Sequence, residues 1–412
     1  MREMKDSGIE WIGQIANTHK LVRLKYIAEI LDEYRKPVTA QYRNQNADIL
    51  YDYYGASGII DKIDGYTIDD HVMLIGEDGA NLKLRNLPLM YEVCGKAWIN
   101  NHAHILKPMK NVDFYYLFYA LESLDINNYI TGSAQPKLNQ ENLKEILIPL
   151  PSYGIQRKVA SYLDTKCSEI DATAEDIQKE ISLLEDYKKS VITEAVTKGL
   201  NPEAEMKDSG IEWVGKVPVT WKIMPNKYIM TKKKVIKEVY DDENIISLSM
   251  NGVIVRDLEA GGKMPKTFDG YQIVYSGNLL MCLFDYDVTP RCIGLIKDYC
   301  VTSPAYSQFV MNNDNYSGYY YYYYLMIDHA KTLLHLAKNL RHSFTEEQLG
   351  AILAPVPTVE EQYQIVNYLD TKCSEIDTLI ADKKRQLDTL ADYKKSLIYE
   401  YVTGKKEVPV NE

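Results

Sequence analysis

The sequence lacks the features that mark a membrane or secreted protein. No apolar run approaches the roughly 18 residues that a helix needs to span a bilayer. The N-terminus, Met-Arg-Glu-Met-Lys-Asp, has no apolar core of the kind found in signal peptides. We therefore expect a cytoplasmic protein without a membrane partner.

Cysteine is scarce and is not arranged for metal or disulfide chemistry. The 412 residues include six cysteines, and no two form a C-x-x-C pair. Cys167 and Cys373 each lie inside a predicted helix, which favours buried thiols over disulfides or zinc ligands. His102 and His104 stand two positions apart on a predicted strand and would face the same side. Neither a carboxylate nor a cysteine accompanies them at metal spacing, so we predict no metal site.

Positive charge is in deficit. Lys and Arg total 47 against 58 for Asp and Glu, which gives a formal net charge of −11. Nucleic-acid binding usually leaves a basic footprint, so this balance argues mildly against it. Net charge is an average, however, and does not show where basic residues cluster or whether a partner subunit is basic.

Catalytic motifs are missing as well. Gly210–Val217 looks like a phosphate-binding loop but lacks the Ser or Thr that would hold Mg²⁺. Ser303–Tyr306 is one letter from the Ser-Pro-Pro-Tyr pattern with which amino-methyltransferases hold a flipped adenine. The Gly-rich cofactor loop of such enzymes is absent, because Gly76–Gly79 is too short and lacks a following helix. We predict a chain without catalytic residues.

What the sequence does contain is an internal duplication. Tyr162–Asp171 reads Tyr-Leu-Asp-Thr-Lys-Cys-Ser-Glu-Ile-Asp and returns letter for letter at Tyr368–Asp377. Met4–Trp11 reads Met-Lys-Asp-Ser-Gly-Ile-Glu-Trp and returns at Met206–Trp213. The chain is therefore a tandem duplication of a unit of about 200 residues.

Two long helices are predicted at equivalent places in the repeat. The stretch 154–198 has no proline and no glycine after Gly154. Apolar residues recur at heptad spacing in both copies, which is typical of a coiled-coil seam. The predicted seam residues are Ile170, Ile177, Ile181, Leu184, Val191, Ile376, Ile380, Leu387, Leu390 and Leu397. We expect the helices to bury these seams against each other in an antiparallel pair; the alternative is that each docks on its own globular block.

The repeat divides the chain into paired segments. They are an N-terminal strap (1–17), a globular domain (18–153), a long helix with its linker (154–205), a second strap (206–218), a second globular domain (219–359), and a long helix with the C-terminal tail (360–412). Apolar runs between turn-forming residues predict strands in the globular domains, with a helix at 114–123. A last strand at 146–148 is predicted to stop at Pro149. The expected fold class is α+β, with two α/β domains related by a pseudo-twofold axis.

Two features of the globular domains suit nucleic acid. The loops 131–137 and 338–343 contain Gln, Arg, Lys and Ser, which can bond adenine, guanine or phosphate. An ordinary surface loop is the alternative. The other feature is the run of six tyrosines at Tyr319–Tyr324. On a helix most of them would be core or interface residues, with one or two facing DNA or a partner subunit.

The sequence resembles the specificity subunits of type I restriction–modification systems. The doubled strap and the doubled Tyr162–Asp171 motif carry this resemblance. So do Gln156 and Gln362, which open the long helices. Further matching segments are Gly132–Leu138, Ile148–Pro151, Thr302–Tyr306, Leu340–Ser343 and Pro355–Pro357.

The resemblance implies a non-catalytic protein that recognises double-stranded DNA. Two target recognition domains, held apart by an antiparallel coiled coil, would each bind one half of a bipartite site in the major groove. Two modification subunits, which carry S-adenosylmethionine and methylate adenine, would dock on the chain, and restriction subunits can join them. The chain itself would hold no cofactor. The rival hypotheses are a stand-alone DNA adenine methyltransferase and a coiled-coil scaffold that does not bind DNA.

Candidate DNA-binding residues come from the two loops and from the rest of the globular domains. They are Arg85, Asn101, Ser133, Gln135, Lys137, Arg291, Ser303, Lys338, Asn339, Arg341, His342 and Ser343. The two loops differ in composition, because Gln135 and Lys137 stand where the second loop has Arg341 and Ser343. Contacts in one domain therefore do not transfer to the other.

Overall fold

The computed structural model describes residues 3–39, 41, 49–132, 135–259, 265–337 and 342–409. The chain divides into two compact units. The first comprises Met1–Gln178 and Arg385–Glu412, and the second comprises Lys179–Lys384. Each unit contains one globular domain and one part of each long helix, so the units do not follow the order of the predicted segments.

Helices and strands alternate irregularly along the chain. The helices are α1 (Asn81–Leu84), α2 (Phe114–Glu122), α3 (Gln140–Glu145), α4 (Tyr153–Lys198), α5 (Asn226–Ile229), α6 (Ser317–His329), α7 (Glu346–Ala351) and α8 (Val359–Val402). The strands before α4 are β1 (Met4–Asp6), β2 (Gln14–Ala16), β3 (Lys20–Arg23), β4 (Ala28–Ile30), β5 (Tyr51–Gly55), β6 (Gly58–Ile63), β7 (Ile68–Gly76), β8 (Met90–Ile99), β9 (Ala103–Pro108) and β10 (Leu147–Leu150). The strands after α4 are β11 (Met206–Asp208), β12 (Lys216–Pro218), β13 (Lys222–Pro225), β14 (Met230–Lys233), β15 (Ile245–Ser249), β16 (Gly252–Val255), β17 (Gln272–Val274), β18 (Leu279–Met281), β19 (Ile293–Leu295), β20 (Cys300–Thr302), β21 (Ser307–Met311) and β22 (Leu353–Val356). Among the described residues, no helix combines the length and the apolar character needed to cross a membrane.

The first unit is built on a sheet of strand order β4-β9-β7-β8-β5-β6. Its strands pair antiparallel except β5 and β8, which are parallel. Helix α2, predicted from the sequence, packs Tyr116 and Leu117 into the core beside Met73 and Ile75. The sheet therefore has one face covered by helix, as an α+β fold requires.

In the second unit the corresponding strands form two sheets, β14-β21-β18-β19 and β16-β15-β20-β17. The parallel pair β15–β20 repeats the pair β5–β8 of the first unit. The tyrosine run lies on α6, where Tyr319, Tyr320 and Tyr323 are wholly buried. Tyr319 donates a hydrogen bond to the carbonyl of Val196 at 2.8 Å. All of the tyrosines except Tyr321, which is half-buried, are thus core residues of the unit, as the sequence predicted for most of them.

In the first unit, α4 and α8 run antiparallel. Lys394 of α8 pairs with Asp171 of α4 at 2.7 Å. The rings of Tyr162 and Tyr401 lie 4.6 Å apart. Residue numbers rise along one helix where they fall along the other, which fixes the antiparallel direction within this unit.

The second unit repeats this arrangement with the roles exchanged. Lys188 of α4 pairs with Asp377 of α8 at 2.6 Å, and Lys383 pairs with Glu180. Lys188 and Asp377 are the repeat equivalents of Lys394 and Asp171. Of the predicted seam residues, Ile170, Ile177, Ile181, Val191, Ile376, Ile380 and Leu397 are buried, and Leu184, Leu387 and Leu390 are half-buried.

The predicted end of the last strand in the first domain is wrong. Strand β10 contains Pro149 instead of stopping before it, and Pro149 lies opposite Leu21 of β3. Strands β10 and β3 form a two-stranded sheet, so one side of β10 is an open edge. Proline has no backbone N–H, but on that side no hydrogen bond between strands is lost. Pro355 occupies the same place in β22, which pairs with β13.

A buried glutamine fixes the start of each long helix. The side-chain oxygen of Gln156 accepts a hydrogen bond from the backbone N–H of Asp113 at 2.9 Å. Its side-chain nitrogen donates to the carbonyl of Pro151, also at 2.9 Å. Asp113 is the N-cap of α2, so one side chain links the long helix to the core helix. Gln362 makes the equivalent pair of bonds in the second unit.

Gln156→Ala should lower the free energy of unfolding by about 1–3 kcal/mol, because it leaves a buried N–H and a buried carbonyl without partners. Urea denaturation of the full chain would measure the loss. Gln386→Ala, at an exposed position of α8, is the matched control and should change stability little. Equal losses in the two variants would contradict the proposed role of Gln156.

Candidate nucleic-acid interface

One end of the main sheet in the first unit gathers four loops. They are the turn 56–57 between β5 and β6, the segment 77–80 after β7, the turn 100–102 between β8 and β9, and the described part of loop 131–137. The backbone N–H of Glu77 donates to the carbonyl of His102, and that of Gly79 donates to Pro136. These bonds hold loops that are distant in sequence on one continuous surface.

Glu77 is the centre of this surface. Its carboxylate accepts hydrogen bonds from Arg35 at 2.5 Å and from Lys137 at 3.0 Å. Burial alone would raise the pKa of Glu77, but the hydrogen bonds from Arg35 and Lys137 outweigh it and lower the pKa below its usual value. Glu77 therefore stays ionised and holds the base of the loop. The Lys137 side chain remains 52% exposed.

The structure separates the two histidines that the sequence placed on one strand face. His102 lies in the turn before β9, is exposed, and pairs with Asp78 at 2.7 Å. His104 is buried in β9, where one ring nitrogen contacts Asp32 at 2.7 Å and the other contacts the carbonyl of Leu138 at 2.8 Å. The prediction that both face the same side is wrong, because β9 begins after His102. In the described ranges, no group of three or more His, Cys, Asp or Glu residues could hold a metal ion.

The corresponding end of the second unit also gathers loops. They are the hairpin turn 250–251, the loop 282–292 between β18 and β19, the turn 303–306 between β20 and β21, and the segment 342–345 before α7. The N–H of Tyr286 donates to the carbonyl of His342 at 3.3 Å, and the His342 ring pairs with Asp287 at 2.9 Å. A Cβ atom added to Gly252 would lie 3.2 Å from a guanidinium nitrogen of Arg291. Arg291 thus lies beside the hairpin turn.

Most of the described candidate residues lie in these two loop clusters. Asn101, Gln135 and Lys137 are exposed in the first cluster. The candidate residues in the second cluster are all half-buried; they are Arg291, Ser303, His342 and Ser343. Ser133, Lys338, Asn339 and Arg341 lie outside the described residues.

Arg85 has a different position. It follows α1 with a left-handed backbone, φ 53°. Its guanidinium donates to the carbonyl of Glu122, and to that of Leu124 at 3.4 Å. These carbonyls end α2, so the charge of Arg85 is used to fasten that helix terminus.

Sequence reasoning missed Arg35, Glu77 and Asp32. Asp32 and Arg35 are close in sequence, but 42 positions separate Arg35 from Glu77, and only the folded sheet brings Glu77 to them. The one sequence signal near them is the short Gly76–Gly79 turn, which is too short for a cofactor loop and does not by itself indicate an ion-paired site.

Comparison with known proteins gives one consistent result. The family described as type I restriction modification DNA specificity domain matches residues 17–183. The putative type I restriction enzyme specificity subunit S.HindORF215P of Haemophilus influenzae is 32% identical over 141 residues, which is 34% of this chain and 35% of that protein. The putative type I restriction enzyme MjaX specificity subunit of Methanocaldococcus jannaschii is 25% identical over 405 residues, which is 94% of this chain and 84% of that protein.

Solved structures show the same fold. A chain solved in work on complex assembly and conformational transition of the type I R-M system has a TM-score of 0.69 and 12% identity, with 95% of this chain and 99% of that chain covered. The family model and the curated relatives confirm the resemblance to specificity subunits of type I restriction–modification systems found in the sequence, and the solved structure shows the same fold.

The lowered pKa of Glu77 predicts a pH dependence. A carboxylate with a lowered pKa in the folded protein stabilises the fold fully above its ordinary value of 4.5, and this contribution is lost as the pH falls through the lowered value. Glu77→Gln should cost about 1–3 kcal/mol at neutral pH. Its unfolding free energy should then fall less steeply than that of the native chain below pH 4.5.

Urea unfolding at a series of pH values would measure the difference between the two proteins. Glu33→Gln is the control, because Glu33 is an exposed carboxylate of the same unit. If the difference in unfolding free energy between the native chain and Glu77→Gln does not change with pH, the ionisation of Glu77 does not stabilise the loop.

Proposed function

We propose that this chain is the sequence-specific DNA-recognition subunit of a type I restriction–modification complex, with each unit binding one half of a bipartite target. The observation that carries the proposal is the contrast between the two long helices, which form a repeated frame, and the loops of the globular domains. The long helices share the motif of Tyr162–Asp171 and Tyr368–Asp377 letter for letter, while equivalent ends of the two sheets present different side chains. A protein that holds two unlike surfaces in one repeated frame is suited to two unlike half-sites.

The polar groups of the loop clusters have the chemistry that DNA recognition needs. The amide of Gln135 can pair with N6 and N7 of adenine in the major groove, and the guanidinium of Arg291 can bond guanine or phosphate. Lys137 can contact phosphate. The net negative charge does not oppose this role at the first cluster, because Glu77 and Asp78 already pair with cationic or imidazole groups.

The partners follow from the doubled frame. Two modification subunits, one for each copy of the repeat, would dock on this chain, and restriction subunits can join the same assembly. S-adenosylmethionine would be held by the modification subunits, which would methylate adenine. The role of this chain is then to choose the DNA sequence, and the chemical step belongs to its partners.

We also propose that α4 and α8 form one antiparallel coiled coil that sets the distance between the two half-sites. The repeated ion pairs support this, because Asp171–Lys394 and Lys188–Asp377 use equivalent residues in exchanged roles. A frame that carries the same contact twice is consistent with a pseudo-twofold relation of the repeats.

Lys137→Ala should weaken DNA binding by the assembled complex about equally for target and non-target DNA, because a phosphate contact carries no sequence information. The slope of log affinity against log salt should fall by about one. Fluorescence anisotropy at several salt concentrations would measure both. Arg341→Ala is the corresponding variant of the second loop.

Lys189→Ala is the matched control for Lys137→Ala, because both lysine side chains are 52% exposed and both are ion-paired. Lys189 lies on the long helix α4 and belongs to neither of the loops 131–137 and 338–343. Unchanged affinity and an unchanged salt slope in both Lys137→Ala and Arg341→Ala would contradict the proposed interface.

Deleting one heptad from each long helix, residues 176–182 and 382–388, should shorten the preferred spacer between half-sites. Seven residues of helix correspond to about 10 Å, or about three base pairs of DNA. Mapping of methylated adenines in genomic DNA modified by the complex would reveal the spacer. A deletion in one helix alone is the control, because it breaks the pairing register instead of shortening the frame. An unchanged spacer in the double deletion would exclude the helices as the spacing element.

A further inference from the structure

Each unit carries a two-stranded β-hairpin at the edge of a sheet. These are β5–β6 in the first unit and β15–β16 in the second, and β6 and β16 are the outermost strands of their sheets. In both units the inner strand of the hairpin pairs parallel with the strand that leads into the loop cluster, β8 or β20. The two hairpins are therefore equivalent elements of the repeat.

The outer strands expose apolar side chains. Ile59 and Ile60 of β6 are 55% and 51% exposed, and Ile254 and Val255 of β16 are 41% and 57% exposed. Met250, in the turn before β16, is 74% exposed. Sheet edges of soluble proteins are usually protected by charge or proline, since an apolar edge invites association. An apolar edge in the same place in both units indicates a surface that is covered in the working complex.

Glycines hold both hairpins directly against the body of the unit. A Cβ atom at Gly76 would lie 2.7 Å from the carbonyl oxygen of Ala56 in the first hairpin turn. A Cβ atom at Gly294 would lie 2.5 Å from Val253 and 2.7 Å from Leu248 of the second hairpin. At Gly76 a Cβ atom would clash with backbone, and at Gly294 it would force the side chains of Val253 and Leu248 to move, so both glycines allow a close approach of the hairpin.

The two turns carry different chemistry. The first turn consists of Ala56 and Ser57, and the hydroxyl-bearing Ser57 is exposed. The second consists of Met250 and Asn251, both exposed, with Arg291 beside the adjoining Gly252. The same backbone element thus presents a small hydroxyl in one unit and an amide with an apolar neighbour in the other.

We propose that each hairpin enters the major groove of its half-site and that the turn residues Ser57 and Asn251 contact base edges. This inference rests on the proposed function and deepens it. The major groove of B-DNA admits a two-stranded β-ribbon, whereas the minor groove is about half as wide. Asn251 can form a bidentate pair with adenine, and the apolar side chains Met250 and Ile254 can contact thymine methyl groups. The second half-site therefore contains an adenine that Asn251 selects.

Asn251→Ala in the complete complex, with its modification subunits, tests this assignment. Methylation of a duplex library with randomised half-sites would report the preference at every position. Asn251→Ala should reduce the preference for adenine at one position of one half-site by about 5- to 100-fold. The other half-site serves as an internal reference and should not change. Ser57→Ala should alter only the opposite half-site.

Val239→Ala is the matched control, because Val239 is 71% exposed in the same unit and lies outside the hairpin. Thermal unfolding of all variants would show that they fold. Asn251→Asp is the second variant, for use if Asn251→Ala does not fold. It keeps the shape of the side chain but removes the amide donor, so it should lose the same adenine preference.

The outcomes separate the two proposals. If the unmodified complex shows no sequence preference, the proposed DNA-recognition function itself fails. If that complex selects a bipartite sequence but the hairpin variants keep every preference, the hairpin assignment fails and the function stands. If the variants instead lose modification subunits on size-exclusion chromatography, the apolar edge is a protein-docking surface, and the hairpin assignment is overturned.

Discussion

The pairing of the two long helices is the constraint on which each unit depends. Neither globular domain closes its core alone. In the first unit Leu163 of α4 and Leu397 of α8 join the same buried cluster as Leu121 of α2. In the second unit Ile192 and Leu369 join the tyrosines of α6. Burial of apolar surface is the main favourable contribution to folding, so separating the helices would open the core of both units.

The direction of this pairing is specified by charge as well as by burial. In an antiparallel pair, Asp171 meets Lys394 and Lys188 meets Asp377. A parallel pairing of equivalent repeat positions would place aspartate beside aspartate and lysine beside lysine. The observed pairs are partly exposed and stabilise the fold little, by about 0–1 kcal/mol each. Their effect is to disfavour the wrong direction, which is the usual role of charged positions beside a coiled-coil seam.

The frame was predictable from sequence because its signals are local and repeated. Heptad spacing and the absence of proline define α4, and the identical motif defines its copy in α8. The tyrosine run was ambiguous, because a helix that is apolar on all sides gives no amphipathic pattern. Its burial is set by Val196 and other residues remote in sequence. The end of β10 could not be predicted correctly for a similar reason. Only the strand order shows that β10 lies in a two-stranded sheet, where a proline can face the open edge.

The candidate interface was harder to predict, because its geometry depends on contacts across the sheet. Lys137 was chosen for its residue type, but its position is fixed by Glu77, which is held in turn by Arg35. Arg85, chosen on the same grounds, instead closes the end of a helix. Residue type identifies what a side chain could bind, whereas the partners supplied by the fold decide whether it is available.

In both units a hairpin lies close against the body of the unit, although the local sequences differ. Each needs a glycine where a hairpin lies against the body, and the first unit uses Gly76 at the end of β7 while the second uses Gly294 in β19. A larger residue at Gly76 would press on the backbone of the first hairpin turn, and one at Gly294 would press on the side chains of Val253 and Leu248. The close approach of the hairpin is therefore retained although the atoms in contact differ. A repeat that keeps its supporting contacts and changes its exposed turns can acquire a new half-site without rebuilding its core.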